Sequence, residues 1–179
     1  PYAITPSYVN QNVVGTYSEL LGTEFVSAWG PWTIESEFYA SEVNGSNATG
    51  TAKGGTNLFF EGGYVQALYF LTGENRTYNR TQGSFDRVTP YENFFNVPGE
   101  RTHCGYGAWQ VGGRYSWVDL NDQGVHGGIV NEYTAGLNWF LNPNMRYAFN
   151  YCYSHVTDIG AAKASESING FGVRLTMDF

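Results

Sequence analysis

Between residues 131 and 157 apolar side chains return at every second position, in two runs separated by a short polar break. Tyr133, Ala135, Leu137, Trp139 and Leu141 make the first run, Asn142-Pro143-Asn144 interrupts, and Met145, Tyr147, Phe149, Tyr151 and Tyr153 make the second. A strand points successive side chains to opposite faces, so a period of two across such a break describes a β-hairpin with one apolar face. The other face carries Glu132, Thr134, Asn138, Arg146, Asn150, Cys152 and Ser154. A sandwich core would place Val, Ile and Leu on the apolar side. Here that side is mostly Tyr, Trp and Phe, with the rings gathered toward the strand ends. An apolar band between aromatic girdles is how the lipid-facing side of a transmembrane β-barrel reads.

The last strand follows the same rule. Phe171, Val173, Leu175, Met177 and Phe179 point one way, and Gly170, Gly172, Arg174, Thr176 and Asp178 the other. An aromatic residue at the end of an alternating strand is similar to the C-terminal signal of bacterial outer-membrane proteins. Alternation also marks 17–29, where Leu21, Phe25 and Trp29 oppose Gly22, Glu24 and Ala28, and 32–43 beyond a Gly30-Pro31 turn. In the latter, Trp32, Ile34, Phe38 and Ala40 face outward and Thr33, Glu35, Glu37, Tyr39 and Ser41 inward. Residues 59–72 form a strand that is apolar on both faces apart from Glu61 and Gln66, and 108–120 alternates again. Residues 1–16 read as a loop end, and 44–57, 121–130 and 158–167 as loops.

Composition excludes several classes. The mean hydropathy is −0.33 and no run approaches the ~20 apolar residues of a membrane helix. A barrel hides from such averages, because its signal lies in the alternation. Charged residues are 14% of the chain against roughly a quarter in soluble domains, while aromatics reach 17%, which suits lipid-facing strands. A net charge of −7 with no basic footprint argues against nucleic acid. His103, His126 and His155 show no metal spacing, and no nucleophile triad or phosphate loop appears, so neither catalysis nor a cofactor is expected. His126 near Asp119 and Asp122 is the one hint of a barrel enzyme. Cys104 and Cys152 make no framework, and both a single bridge and two free thiols stay open.

The count is seven strands. Single-chain bacterial barrels use an even number, from eight upward, and an open sheet would leave unpaired backbone groups in lipid. The expectation is therefore an all-β chain forming the C-terminal part of a larger antiparallel barrel, with its leader removed and its N-terminal strands absent. If the C-terminus is periplasmic, the turns at 30–31 and 142–144 are periplasmic, and the longer connections 44–57, 121–130 and 158–167 face outside. Residues 73–106 then connect on the periplasmic side, yet they exceed thirty in number and hold Arg76, Arg80, Arg87 and Arg101, four of nine basic residues. A loop of that length is usually functional. We expect it to fold into the lumen as a constriction, against the alternative of a free periplasmic loop.

Several collinear motifs carry a resemblance. They are Ala28-Trp29-Gly30-Pro31-Trp32 with Glu37-Phe38-Tyr39, and Tyr64-Val65-Gln66-Ala67-Leu68-Tyr69-Phe70-Leu71-Thr72-Gly73-Glu74. Gly83-Ser84-Phe85-Asp86-Arg87-Val88, Gly107-Ala108-Trp109-Gln110 with Arg114-Tyr115-Ser116, and Leu120-Asn121-Asp122 follow. Gly136-Leu137-Asn138-Trp139-Phe140-Leu141-Asn142-Pro143-Asn144 and the closing strand complete the set. Over roughly 17–179 the chain resembles the C-terminal part of the phosphate-selective porins O and P. The resemblance implies a sixteen-stranded homotrimeric channel in the outer-membrane lipid, with a long periplasmic segment turned inward, passing small anionic solutes such as phosphate. The family's arginine ladder and lysine cluster fall mainly outside this chain.

On the polar faces, Glu24, Glu35 and Glu37 line the first two strands, Gln66 the third, and Arg114, Arg146 and Arg174 the later ones. These are the candidate pore-lining residues, and their segregation would set a transverse field that filters solutes. The bland alternative is mutual pairing that only stabilises the wall. Arg76, Arg80, Arg87 and Arg101 are the candidate constriction residues; Glu74, Asp86, Glu92 and Glu100 could equally pair with them inside the loop. A passive channel is the leading function, and a non-conducting structural or adhesive barrel the competing one.

Overall fold

The structure, a computed structural model, describes residues 13–95, 105–159 and 164–178. Its strands are β1 (Tyr17–Trp29), β2 (Trp32–Ser46), β3 (Thr56–Phe70), β4 (Tyr78–Asn79), β5 (Ser84–Phe85), β6 (Ala108–Asp122), β7 (Val125–Asn142), β8 (Met145–Ile159) and β9 (Ala164–Met177). The seven long strands form one sheet in the order β1-β2-β3-β6-β7-β8-β9, every pair antiparallel. The small β4–β5 hairpin lies in the connection between β3 and β6. The chain is all-β. Among the described residues the sheet is not closed, and β1 and β9 are its edges.

Parity carries across the whole sheet. One register row runs Glu24, Glu37, Tyr64, Ser116, Glu132, Ser154, all on the polar face. The adjacent row, Phe25, Ser36, Val65, Tyr115, Tyr133, Tyr153, lies on the opposite face. A one-residue slip would put the carboxylates of this row, Glu24, Glu37 and Glu132, on the apolar side, so the register is strongly specified. At the end with the short turns, rings form a belt on the outward face. Trp32 lies 4.6 Å from Tyr69, Trp109 stacks on Trp139 at 5.0 Å, and Tyr147 follows at 6.2 Å. Further up, Phe38 and Trp117 approach to 6.4 Å across Gly63, whose missing side chain leaves room for the indole.

Two expectations need correction. Residues 121–130 are not a loop: β6 runs to Asp122, β7 starts at Val125, and only Gln123 and Gly124 turn, with Gln123 at φ 50°. That connection is as short as those at the opposite end, so the contrast of short and long loops fails there. The other two shrink as well, since β2 ends at Ser46, β3 begins at Thr56, β8 ends at Ile159 and β9 begins at Ala164. The cause is strand length. Strands of 13 to 18 residues exceed the roughly 9–11 that cross a membrane, so they project beyond it, where backbone pairing continues without apolar alternation. Residues 1–12, most of the 96–106 stretch including Arg101, His103 and Cys104, and the terminal Phe179 lie outside the described residues.

Candidate functional site

The segment after β3 is held to the polar face by a small dry cluster. Phe70 of β3, Val88 of the segment, Ala108 of β6 and Phe140 of β7 are all buried, with Phe70 and Phe140 at 5.8 Å. These apolar residues occupy polar-face positions because the segment covers them. Glu74, also buried, accepts from the Thr72 hydroxyl and from the Tyr91 backbone N–H (3.3 Å). Thr72 Oγ1 in turn accepts from the Trp109 N–H at 3.0 Å. Phe94 and Tyr106, on either side of residues outside the described set, both meet the aromatic belt. The Phe94 N–H donates to the Leu141 carbonyl (2.7 Å), its ring meets Trp139 edge-on (4.9 Å), and the indoles of Trp109 and Trp139 both donate to the Tyr106 carbonyl (3.1 and 2.8 Å).

The ionisable groups sort into committed and uncommitted ones. Arg76 Nη1 lies 3.2 Å from Glu35 Oε1, and its guanidinium sits 4.2 Å over the Phe85 ring of β5. Glu35's second oxygen accepts from the Gln66 amide. Burial lowers the Arg76 pKa from the usual guanidinium range while Glu35 opposes that shift, and an arginine remains a cation regardless. Glu37 accepts from the hydroxyls of Tyr39 (2.6 Å) and Tyr64 (2.8 Å). Arg114 lies 3.7 Å over the Tyr64 ring and donates from Nε to Ser116 (2.9 Å). Arg146 lies 5.5 Å from the Phe140 ring centroid. Among the described residues, no carboxylate comes within 4.0 Å of Arg114, Arg146 or Arg174.

Geometry therefore divides the sequence candidates. Gln66, Arg76, Arg87, Arg114 and Arg146 line one cavity of about 690 Å³ on the polar face. Glu24, Glu35 and Glu37 line an adjoining recess of about 130 Å³, closed by Phe85 and Tyr78 of the small hairpin. Phe85 lines both, and Glu35 of the recess bonds Arg76 and Gln66 of the cavity. Arg174 stands on the polar face opposite Ala148, away from both linings, and Arg80 is exposed beside the hairpin. Two of the segment's arginines pair with the wall: Arg76 takes Glu35, and Arg87 reaches the Asn144 amide oxygen and lies 3.8 Å from Asp178. Gln110 and Asn138, hydrogen-bonded to each other at 3.0 Å, also line the cavity and were missed, although strand parity points to both. Phe85 was legible only as part of the Gly83–Val88 motif and not as a lining residue, because its role depends on how the segment folds back. Among the described residues no three His, Cys, Asp or Glu side chains gather as metal ligands.

Comparison with known proteins agrees with this architecture. Residues 9–179 match the family described as phosphate-selective porin O and P. The chain is similar to Porin O of Pseudomonas aeruginosa, 25% identical over 183 residues, covering 96% of this chain and 38% of that protein. It is also similar to an uncharacterized protein of Caulobacter vibrioides, 34% identical over 128 residues, which is 70% of this chain and 24% of that one. The chain thus spans well under half the length of these relatives.

Proposed function

We propose, from the premise that this chain belongs to the phosphate-selective porin O and P family, that it is part of the wall of an outer-membrane porin. Small solutes diffuse passively through that channel, anions such as phosphate among them. The observation that carries this reading is the cavity on the polar face, where Arg114 and Arg146 point guanidinium groups with no carboxylate within 4.0 Å among the described residues. Segment 71–95 narrows the passage on this reading, because it rests on that face and brings Arg76 and Arg87 to the same cavity. Cations held at a constriction lower the barrier for anions and raise it for cations.

The net charge of −7 is not all gathered at the cavity. Glu19 pairs in register with Glu42, and Glu61 with Asp119, all on the outward face toward the end where the strands project. Glu35 and Glu37 are occupied by Arg76, Gln66 and two phenols. Part of the chain's acidity therefore lies away from the passage, while Asp86, Glu132 and Asp178 line the same cavity as the arginines.

The test is the reversal potential of the full-length protein in planar bilayers under a potassium chloride gradient, with and without phosphate. Anion preference and a fall in chloride current on adding phosphate are expected. Cation preference without that fall would end the anion reading and leave a general porin. A folded protein with no conductance would favour the structural or adhesive barrel instead.

A further inference from the structure

Arg114 has two diagonal neighbours on the polar face. In register it lies between Gln66 of β3 and Thr134 of β7, while Ser116, the next residue of β6 on that face, lies between Tyr64 and Glu132. Long side chains reach across such diagonals, so both the Tyr64 ring and the Glu132 carboxylate are within range of the guanidinium. Opposite charge alone would draw it to Glu132. Instead its central carbon lies 3.7 Å from the Tyr64 ring centroid and its Nε donates to Ser116 (2.9 Å), with no carboxylate within 4.0 Å among the described residues. The acids nearby keep their charge, but their oxygens are turned to hydroxyls. Glu37 accepts from Tyr39 (2.6 Å) and from Tyr64 itself (2.8 Å), and Glu132 from Ser154 (2.7 Å) and Thr134 (3.4 Å).

A ring contact with a partly desolvated arginine rivals an exposed ion pair, so the ring can decide which neighbour is taken. The two choices differ for a passing ion. A carboxylate partner would occupy the terminal N–H groups of the guanidinium and cancel its charge at close range. A ring does neither and leaves those donors to the passage. We propose that Tyr64 is a positioning residue that keeps Arg114 off Glu132 and Glu37, and that through Arg114 it sets how the channel discriminates between anions and cations. The phenol oxygen anchors the ring on Glu37, whose other oxygen is held by Tyr39. Tyr64 thus acts on solutes only by where it holds the arginine. The inference rests on the porin reading and names a residue that determines its selectivity.

The experiment is a double-mutant cycle on the chloride-to-potassium permeability ratio of the full-length channel, read from the reversal potential under a potassium chloride gradient. Alone, Arg114→Gln should lower that ratio about threefold, the effect of one unit charge screened by water and salt. Combined with Tyr64→Leu, the same change should lower it by less than about 1.5-fold, because the arginine has already swung onto a carboxylate. Tyr64→Phe keeps the ring and should keep the full effect of Arg114→Gln, which a general loosening of the wall would not do. Tyr64→Val, which suits a strand, takes the place of Tyr64→Leu if the leucine variant does not form channels. An effect of Arg114→Gln that is the same with and without Tyr64→Leu would overturn the inference and leave the porin reading intact, as would no effect in the otherwise unaltered channel. A channel that prefers cations would end the anion reading, while the cycle, which reads a change in the ratio, would still decide for or against Tyr64. Absence of chloride conductance would end the porin reading, and this inference with it.

Discussion

The two ends of the polar face are built from the same strands by the same alternation, yet they differ in kind. At the turn end, Phe70 and Phe140 are covered by the segment and become core. At the far end, Phe60 and Val118 occupy equivalent positions on β3 and β6 and line an open groove. Parity decides which face a side chain joins. What lies over that face decides whether an apolar residue there stabilises the fold or lines an open groove. The difference is therefore long-range, and local pattern cannot express it.

The largest effect should separate the two ends directly. Phe70 is completely buried, so Phe70→Ala in the full-length protein should cost about 3–5 kcal/mol through lost transfer energy and a residual cavity. It should also release the segment, which limited proteolysis of the folded protein would detect as cleavage within 71–95. Phe60→Ala should cost under about 1 kcal/mol and leave the segment protected, because less apolar surface is withdrawn from solvent there. Similar losses from both substitutions, measured by denaturant unfolding in vesicles, would erase the distinction.

Next in size is the Arg76–Glu35 pair, whose side chains are 24% and 16% exposed. Glu35→Gln leaves a half-buried guanidinium without its carboxylate, which should weaken docking of the segment by about 1–3 kcal/mol. It also removes a negative charge beside the cavity, so the reversal potential should move toward stronger anion preference. Arg76→Met combined with Glu35→Gln should cost less than the sum of the two single changes, because neither partner is then left alone. Strict additivity would mean that the pair is not coupled and that apolar packing alone holds the segment.

Much of the sheet was legible from the sequence because lipid imposes a period of two wherever strands cross it. β1 is bounded as expected, since alternation stops where Gly30-Pro31 must turn. Residues 121–130 were not legible as strand: Gly124, Gly127 and Gly128 read as loop, but they lie where the strands project and the backbone ladder alone continues the pairing, with Asn121 opposite His126. The candidate residues fared unevenly for a related reason. Glu35, Gln66 and Arg114 could be assigned to one face by counting along single strands. The grouping of Arg76 with Phe85 and Glu35 required knowing that a segment some forty positions away in sequence returns to β2. The apolar reading of β3 on both faces was informative, since Phe60, Tyr64, Leu68 and Phe70 all face the polar side. It marked a strand that, like β6 and β7, serves both the covered end and the open groove.

The smallest expected effect sharpens the comparison within the segment itself. Arg87 also meets a carboxylate, Asp178, but at 3.8 Å with both side chains more than half exposed (53% and 55%). Solvent and salt screen such a pair, so Arg87→Ala should cost at most about 1 kcal/mol, and raising the salt should reduce even that. Its hydrogen bond to Asn144 adds a contact at the turn, again in water. Protease protection of the segment should therefore survive Arg87→Ala and fail in Phe70→Ala, with Glu35→Gln between them. If Arg87→Ala released the segment as fully as Phe70→Ala, exposed charge at the rim would be holding it rather than the dry cluster of Phe70, Val88, Ala108 and Phe140. The covered end of the polar face would then owe its character to electrostatics, and strong salt alone should convert it into a second open groove.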